Sequence, residues 1–327
     1  MAANLETHLH AQLLDRREKL MATISQSQDN EELLQLLQEV DAALGRMTSG
    51  SYGVCEVCND PIEAERLMVD PLVRYCLPDL TPHQQRLLEQ DLDLTSQMQW
   101  ALLPQRNFSH NGWEAHYLYE PLGPVGGDYC DIVVPESGDG DLFFLLGDVS
   151  GKGIASSMMM AHLHAIFRSL ITINLPVNEL VERANRIFCE STIPAYYATL
   201  VCGRANKSGE IELCNAGHCP PLLIRPGAVE SIPATGLPVG LFYTGQYSAQ
   251  KIQLNPGDSL FLYTDGLAEA RNPADAEYGA ERLSNVLGDF YALTPRLLNG
   301  KCMDDFGAFL SDAPKTDDLT ILSFRRV

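Results

Sequence analysis

Residues 142–153 read LFFLLGDVSGKG. Five apolar residues in a row, closed by Gly147-Asp148, are the pattern of a buried strand that delivers a carboxylate at its tip. The glycines allow tight turning and close approach of other groups. The apolar stretch that follows, 154–173, has the length of a helix. Three other segments carry the same design: Gly126-Gly127-Asp128 with Tyr129 and Asp131, Thr264-Asp265-Gly266 after SLFLY, and Thr316-Asp317-Asp318-Leu319-Thr320. One Asp-Gly pair is usually a turn. Four such motifs, three of them at or beside apolar runs, call for another reason. If their tips converge, the aspartates repel one another unless cations sit between them. Oxygen-only ligands suit Mg2+ or Mn2+. Two such ions activate a water and clamp a phosphoryl oxygen, so the pattern points to metal-assisted hydrolysis. GDVSGKG is not a phosphate-binding P-loop. That loop needs G-x4-G-K-[ST], whereas here three residues separate Gly147 from Gly151 and Gly153 follows the lysine.

The 327 residues contain 45% hydrophobic and 20% charged side chains, a globular balance with room for two domains. Lys plus Arg number 23 and Asp plus Glu 43, a formal net charge of -20. A field of that sign repels phosphate backbones and anionic lipid, so neither nucleic acid nor a membrane is an expected partner. The apolar stretch Ile154–Leu175 is interrupted by His162, His164, Arg168 and Asn174 and reads as a buried helix. The first residues lack a signal-peptide pattern, and the scattered cysteines fit a reducing compartment, so a cytoplasmic location is expected.

Around the central motif, strand-like runs alternate with Gly-rich turns: Leu142–Leu146, Ala198–Cys202, Ile211–Cys214, Leu222–Ile224, Ser259–Tyr263 and Leu319–Phe324. Helical stretches interrupt them at 154–173 and 177–191. This predicts an α+β domain over 108–327. Ahead of it, residues 81–107 read as a linker helix ended by Pro104. Leu80, Leu87, Leu94 and Ala101 fall seven apart with Met98 as a partner position. The spacing fits a short coiled-coil seam and also a connector packed on its own domain. Residues 1–49 predict a helical hairpin, with Leu9, Leu13, Leu20 and Ile24 facing Leu33, Leu36, Leu37, Val40, Leu44 and Met47 across a polar turn.

Residues 50–80 form a small module rich in Gly, Pro and Cys. Cys55-x2-Cys58, seventeen residues, then Cys76-x2-Asp79 has the spacing of a zinc ribbon with Asp79 in place of a fourth cysteine. Asp is a legitimate zinc ligand, and His83 is an alternative. A module this small has little core, so one Zn2+ would supply much of its folding free energy. The other reading is a site that has lost its metal and is held by packing.

The hairpin, GSYGVCEVC, PIEAERL and the closing Cys76 resemble the DksA/TraR zinc-finger family over about residues 1–80. That resemblance implies a coiled coil that enters the secondary channel of RNA polymerase. Here each helix is only about 30 Å long at 1.5 Å per residue, and the turn does not reproduce the family's acidic tip. From about 85 to 327, QMQWALLP (97–104), PVGGDYCD (124–131), GDVSGKGIAS (147–156), CNAGHCPPLL (214–223), TGLPVGLF (235–242), FLYTDGLAEARN (261–272) and TDDLTIL (316–322) resemble the metal-dependent PPM phosphatases of the SpoIIE/RsbU branch. The implied fold is two antiparallel sheets sandwiched by helices, with two Mn2+ or Mg2+ ions in a cleft at one end.

By the same resemblance Asp148 bridges the ions, and Asp128, the Val149 carbonyl, Asp265 and Asp317 complete the set. Asp317 matches better than Asp318. Asp131 and Asp318 either sit beside the ligands or brace loops. The implied reaction is hydrolysis of phosphoserine or phosphothreonine in a single displacement by a water activated between two metals. The implied substrate is a phosphorylated protein, a STAS-type anti-sigma antagonist, in a sigma-factor partner-switching pathway. The linker helix would dimerise the chain and transmit a signal from the front module. Ser150 stands where eukaryotic relatives have a general-acid His, and Lys152 where many members of the branch have His. His218, in NAGH, bears on the site or stabilises a turn. Cys130, Cys214 and Cys219 lack a recognisable base and read as packing. The rival expectation is a non-catalytic or transcription-associated binding protein acting through the finger.

Overall fold

Strand β2 (Trp113–Glu120) shows how this sequence makes its sheets: WEAHYLYE buries every second residue, Trp113, Ala115, Tyr117 and Tyr119. The computed structural model describes residues 2–24, 31–56, 58, 60–76, 82–135, 140–192 and 196–327. They fall into two compact units, Met1–Asp91 and Leu92–Val327.

In the first unit, α1 (Ala2–Ile24) and α2 (Glu31–Ser49) pair as a hairpin. Leu13, Leu20, Val40 and Ala43 are buried between them at helical spacing. The short α3 (Ala64–Val69) lies in the cysteine module. There Leu9 of α1 packs with Cys55, Ile62, Leu67 and Cys76. Helix α4 (Pro82–Leu102) spans the division between the units.

The second unit continues with β1 (Asn107–His110), β2, β3 (Asp128–Val133), β4 (Leu142–Val149), α5 (Ile154–Ile171), α6 (Val177–Ser191), β5 (Ala198–Ala205) and β6 (Glu210–Ala216). Then come β7 (Leu222–Arg225), β8 (Ala228–Ser231), β9 (Gln250–Gln253), β10 (Ser259–Tyr263), α7 (Asp265–Ala268), α8 (Ala280–Asp289), α9 (Pro295–Leu310) and β11 (Leu319–Arg326). One sheet has the order β1-β2-β11-β10-β7-β8 and the other β3-β4-β5-β6-β9, with antiparallel pairing throughout. Cys130, Ile132, Phe144 and Leu146 from the second sheet meet Tyr117, Leu262, Leu322 and Phe324 from the first. The Phe144 and Phe324 rings pack at a 43° tilt with their centroids 4.6 Å apart. Burying each such side chain contributes about 1.5–3 kcal/mol.

Helices α5 and α6 cover the outer face of the second sheet through Leu163, Phe167, Leu180, Val181 and Phe188. Helices α8 and α9 cover the first through Leu283, Leu287, Leu298 and Phe306. The expected α+β fold, two antiparallel sheets between helices behind a helical and cysteine-bearing front region, is the observed one. Helix α5 is long and apolar enough to cross a membrane, yet its Met160, Leu163, Phe167 and Leu170 pack inward.

Candidate active site and metal centre

Strands β3 and β4 pair so that Asp128 lies directly opposite Asp148. Directly opposed residues project to the same face, and like charges there destabilise a sheet. Their strands bury Cys130, Ile132, Phe144 and Leu146 in the layer between the sheets, so the two aspartates close one end of that layer. The facing sheet supplies Thr264 and Thr320, whose hydroxyls both donate to Asp128 Oδ2, at 2.9 and 2.5 Å. Thr320 N donates in turn to Thr264 Oγ1 at 2.9 Å, and Thr264 N to the Thr320 carbonyl at 3.0 Å. This ladder fixes the residues on either side, Asp265 at the start of α7 and Asp317-Asp318 before β11.

The electrostatics match a cluster of crowded carboxylates. Burial first, and the field of Asp148 next, push the Asp128 carboxyl well above its ordinary range. Burial and then Asp265, Asp317 and Asp318 push Asp148 up to about 8. Burial and Asp317 raise Asp265. Such a group of anions is stable when a cation sits among them. The backbone is shaped for the same purpose. A Cβ at Gly127 would stand 2.9 Å from the Val149 carbonyl oxygen, so glycine keeps that oxygen uncovered. A Cβ at Gly266 would stand 1.9 Å from the Asp318 carbonyl. Buried carboxylates raised by mutual repulsion, beside a bared carbonyl, form a donor set that fits hard divalent ions.

The doublet divides its work. Asp318 is 7% exposed and its oxygens accept from Leu122 N at 2.7 Å and Gly127 N at 2.6 Å. It braces the loop that leads into Asp128. Asp317 is half-exposed: Oδ1 accepts from Asp318 N at 3.0 Å, and Oδ2 faces Lys152 Nζ at 2.9 Å. Asp131 points to the other face of its sheet. Arg168 of α5 grips both its oxygens at 2.7 Å, and Ile132 N adds a bond at 2.8 Å. Asp131 is therefore a brace and stands apart from the metal set. Asp131→Ala is expected to cost about 1–3 kcal/mol of stability, through the lost hydrogen bonds of a buried carboxylate to the half-exposed Arg168 and to Ile132 N, with divalent-ion affinity unchanged in calorimetry.

His218 is buried, donating through N to Asn215 Oδ1 at 2.8 Å and pairing Nδ1 with Thr199 Oγ1 at 2.8 Å. Burial pulls its ring down to about 4, so it stays neutral and structural at neutral pH. Thr199 lies opposite Asp148, so the turn reading is the observed one while the residue still backs the site. Ser150 exchanges bonds with Tyr197 (N to carbonyl at 2.9 Å, Tyr197 N to Oγ at 3.1 Å). Burial and the nearby carboxylates push the Cys219 thiol up to about 12, which keeps it in the thiol form.

Sequence reasoning missed Gln99. It is 5% exposed, and its amide pairs with the Gly126 peptide on both sides: Nε2 to the carbonyl at 2.6 Å, and Gly126 N to Oε1 at 3.0 Å. The neighbouring Trp100 ring meets Tyr119 edge-on at 5.4 Å. The end of α4 thus grips the loop before Asp128. Gln99 lies inside the QMQWALLP stretch, between Met98 and Trp100, but its partner Gly126 is 27 residues away, and only the fold shows that contact.

In the front unit, the sulfurs of Cys55, Cys58 and Cys76 all lie within 4.8 Å of one another, with Cys58 and Cys76 Sγ 3.5 Å apart. Three converging thiols fit a Zn2+ site. Asp79 lies outside the described residues, as does the side chain of His83.

A family model described as Stage II sporulation protein E (SpoIIE) matches residues 138–327. The chain belongs to the SpoIIE family. A second family model, the prokaryotic dksA/traR C4-type zinc finger, matches residues 50–78 of this SpoIIE-family chain. The chain is 25% identical over 269 residues to Protein IcfG of Synechocystis, covering 72% of this chain and 41% of that one. It is 20% identical over 190 residues to the phosphoserine phosphatase RsbU of Bacillus subtilis, covering 57% and 56%. It thus spans roughly half the length of these curated relatives. The SiaA-PP2C domain of Pseudomonas aeruginosa superposes with a TM-score of 0.65 at 20% identity, covering 74% of this chain and 98% of that one. That likeness shows the fold.

Proposed function

We propose that this SpoIIE-family chain is a metal-dependent protein phosphatase that hydrolyses phosphoserine or phosphothreonine on a partner protein. The observation that carries the reading is the convergence of Asp128, Asp148, Asp265 and Asp317 at one end of the sandwich, with the first three raised by burial and one another. Asp128, Asp148, Asp265, Asp317 and the Val149 carbonyl would hold two Mn2+ or Mg2+ ions. Bound there, such ions lower the pKa of water and neutralise charge building on a phosphoryl group. The protein's own residues prepare that chemistry. Thr264 and Thr320 orient Asp128 and use up its Oδ2, Asp318 fixes the loop beneath it, and all three residues of the Asp128–Thr264–Thr320 group are buried from water. Among the described residues, His218 is buried and held by Thr199 and Asn215, and Cys219 stays a thiol, which favours direct attack by water. The test is release of phosphate from a phosphoserine-bearing protein, with activity lost in EDTA and restored by Mn2+. Release that persists in EDTA would sink the reading.

The proposed substrate is a STAS-type anti-sigma antagonist, and the proposed setting is cytoplasmic partner switching, both by the family resemblance; the similarity to the phosphoserine phosphatase RsbU supports a phosphoserine substrate. The front module, residues 1–80, is proposed to act on the phosphatase domain, 108–327, through the linker 81–107. Leu87, Leu94 and Met98 along α4 are exposed apolar residues, at 47%, 52% and 62%. Their spacing supports a homodimer seam. Leu94→Glu is expected to convert a dimer into a monomer in analytical ultracentrifugation; an unchanged mass excludes the seam. Zn2+ on Cys55, Cys58, Cys76 and Asp79 is proposed for the front module. The cysteine cluster and the dksA/traR match also favour a second reading, a transcription-associated role. RNA polymerase retained by the full chain and lost on Cys58→Ser would support it.

A further inference from the structure

Lys152 lies on the turn between β4 and α5, between two glycines that both take positive φ, 97° at Gly151 and 74° at Gly153. That left-handed backbone aims the lysine across the cleft mouth at the loop before β11. Its Nζ stands 2.9 Å from Asp317 Oδ2 and donates to the Thr316 carbonyl at 2.5 Å. Asp317 Oδ1 is already engaged by Asp318 N, so Oδ2 is the oxygen left over, and the ammonium covers it. The charge of Lys152 also acts on Asp148, Asp265 and Asp318, opposing the rise that their crowding causes. The side chain is 46% exposed, so it can swing away without leaving an unpaired charge buried.

We propose that Lys152 is a tethered counter-ion, displaced from Asp317 by an incoming divalent cation, and that the released ammonium then binds the phosphoryl dianion of the substrate. Two facts argue for both halves. One oxygen of Asp317 cannot serve an ammonium and a divalent ion at full strength, because the two cations repel each other at contact distance. A phosphate dianion approaching a carboxylate-lined cleft in a chain of net charge -20 needs a cation at the rim, and Lys152 stands there. The exchange makes phosphate binding conditional on metal binding: the lysine is occupied until Asp317 is taken. This rests on the reading of the cleft as a metal-dependent phosphatase.

The test measures Mn2+ binding to the full chain by electron paramagnetic resonance of free Mn2+, and inorganic phosphate binding at saturating Mn2+ by calorimetry. Four proteins are compared: wild type, Lys152→Gln, Lys152→Arg and Asp148→Asn. Loss of the competing charge in Lys152→Gln is expected to tighten Mn2+ binding by about 3–10-fold. The same variant is expected to weaken phosphate binding by about tenfold, through the lost charge-assisted bond. Lys152→Arg keeps the charge and is expected to stay near wild type in both. Mn2+ binding unchanged or weaker in Lys152→Gln overturns the counter-ion role and makes the lysine a loop staple. Unchanged phosphate affinity overturns the second half. If wild type takes up no more Mn2+ than Asp148→Asn, the phosphatase reading itself fails; if it does and Lys152→Gln does not differ from it, only the Lys152 inference fails.

Discussion

Asp148→Asn is expected to lower Mn2+-dependent phosphoserine hydrolysis by about a thousandfold or more, the equivalent of ~4 kcal/mol of lost transition-state stabilisation. The expectation follows from position. Asp148 faces Asp128 across the β3–β4 ladder and feels Asp265, Asp317 and Asp318 at once. In the proposed reading it is the carboxylate that two ions would share. An amide in its place keeps size and shape, so the strand and the Thr199 pairing opposite it survive. What is lost is one negative charge at the point where the proposed pair of dications would be held together. Steady-state assays over a range of Mn2+ concentration separate the causes. A rate that stays low at saturating Mn2+ means the charge acts in the chemical step. Full recovery at high Mn2+ would reduce Asp148 to an affinity determinant. The contrast is Asp131, another buried aspartate three residues from Asp128, whose loss is expected to lower stability and spare metal binding.

That contrast also explains what the sequence could disclose. The LFFLLGD and SLFLYTD runs announced strands with a carboxylate at the tip because a strand buried on both faces must be continuously apolar. β3 was harder to see: all six of its residues are buried, yet two are aspartates, one facing the cleft and one Arg168. Function put charges into the core there, and the apolar pattern disappeared. α9 was hidden by Gly300 and Gly307, poor helix formers whose cost is met by burying Leu298, Cys302, Phe306 and Leu310. β2 carried a clean alternation and was legible in principle. Asp317 and Asp318 were indistinguishable by type. The resemblance favours Asp317, and the loop at Leu122 and Gly127, nearly two hundred residues away in sequence, shows Asp318 at work as a brace. Gln99 belongs to the same class of long-range fact.

The crowding of carboxylates carries a stability cost that the ion-free protein must show as a dependence on pH. Asp148 in the folded chain holds its proton up to about 8, chiefly through burial, and Asp128 is raised as well. In the unfolded chain both ionise near ~4. Between those values the folded state binds protons that the unfolded state has released, so stability is greatest near the lower end and falls as pH rises toward 8. Divalent ions act in the opposite sense: they bind the ionised carboxylates, so their affinity and the stabilisation they confer grow with pH. The measurement is the melting temperature of wild type and Asp148→Asn at pH 5.5, 7.0 and 8.5, with EDTA or with Mn2+. EDTA also reaches the thiols of the front unit, and other charges titrate, so the informative quantity is the difference between the two proteins at each pH. In EDTA, Asp148→Asn is expected to overtake wild type as pH rises, because the amide has no proton to lose. In Mn2+, wild type is expected to lead, by a margin that widens with pH. A difference in EDTA that is flat across the range would mean that Asp148 ionises normally in the folded protein and that the carboxylates are held farther apart than this cleft brings them.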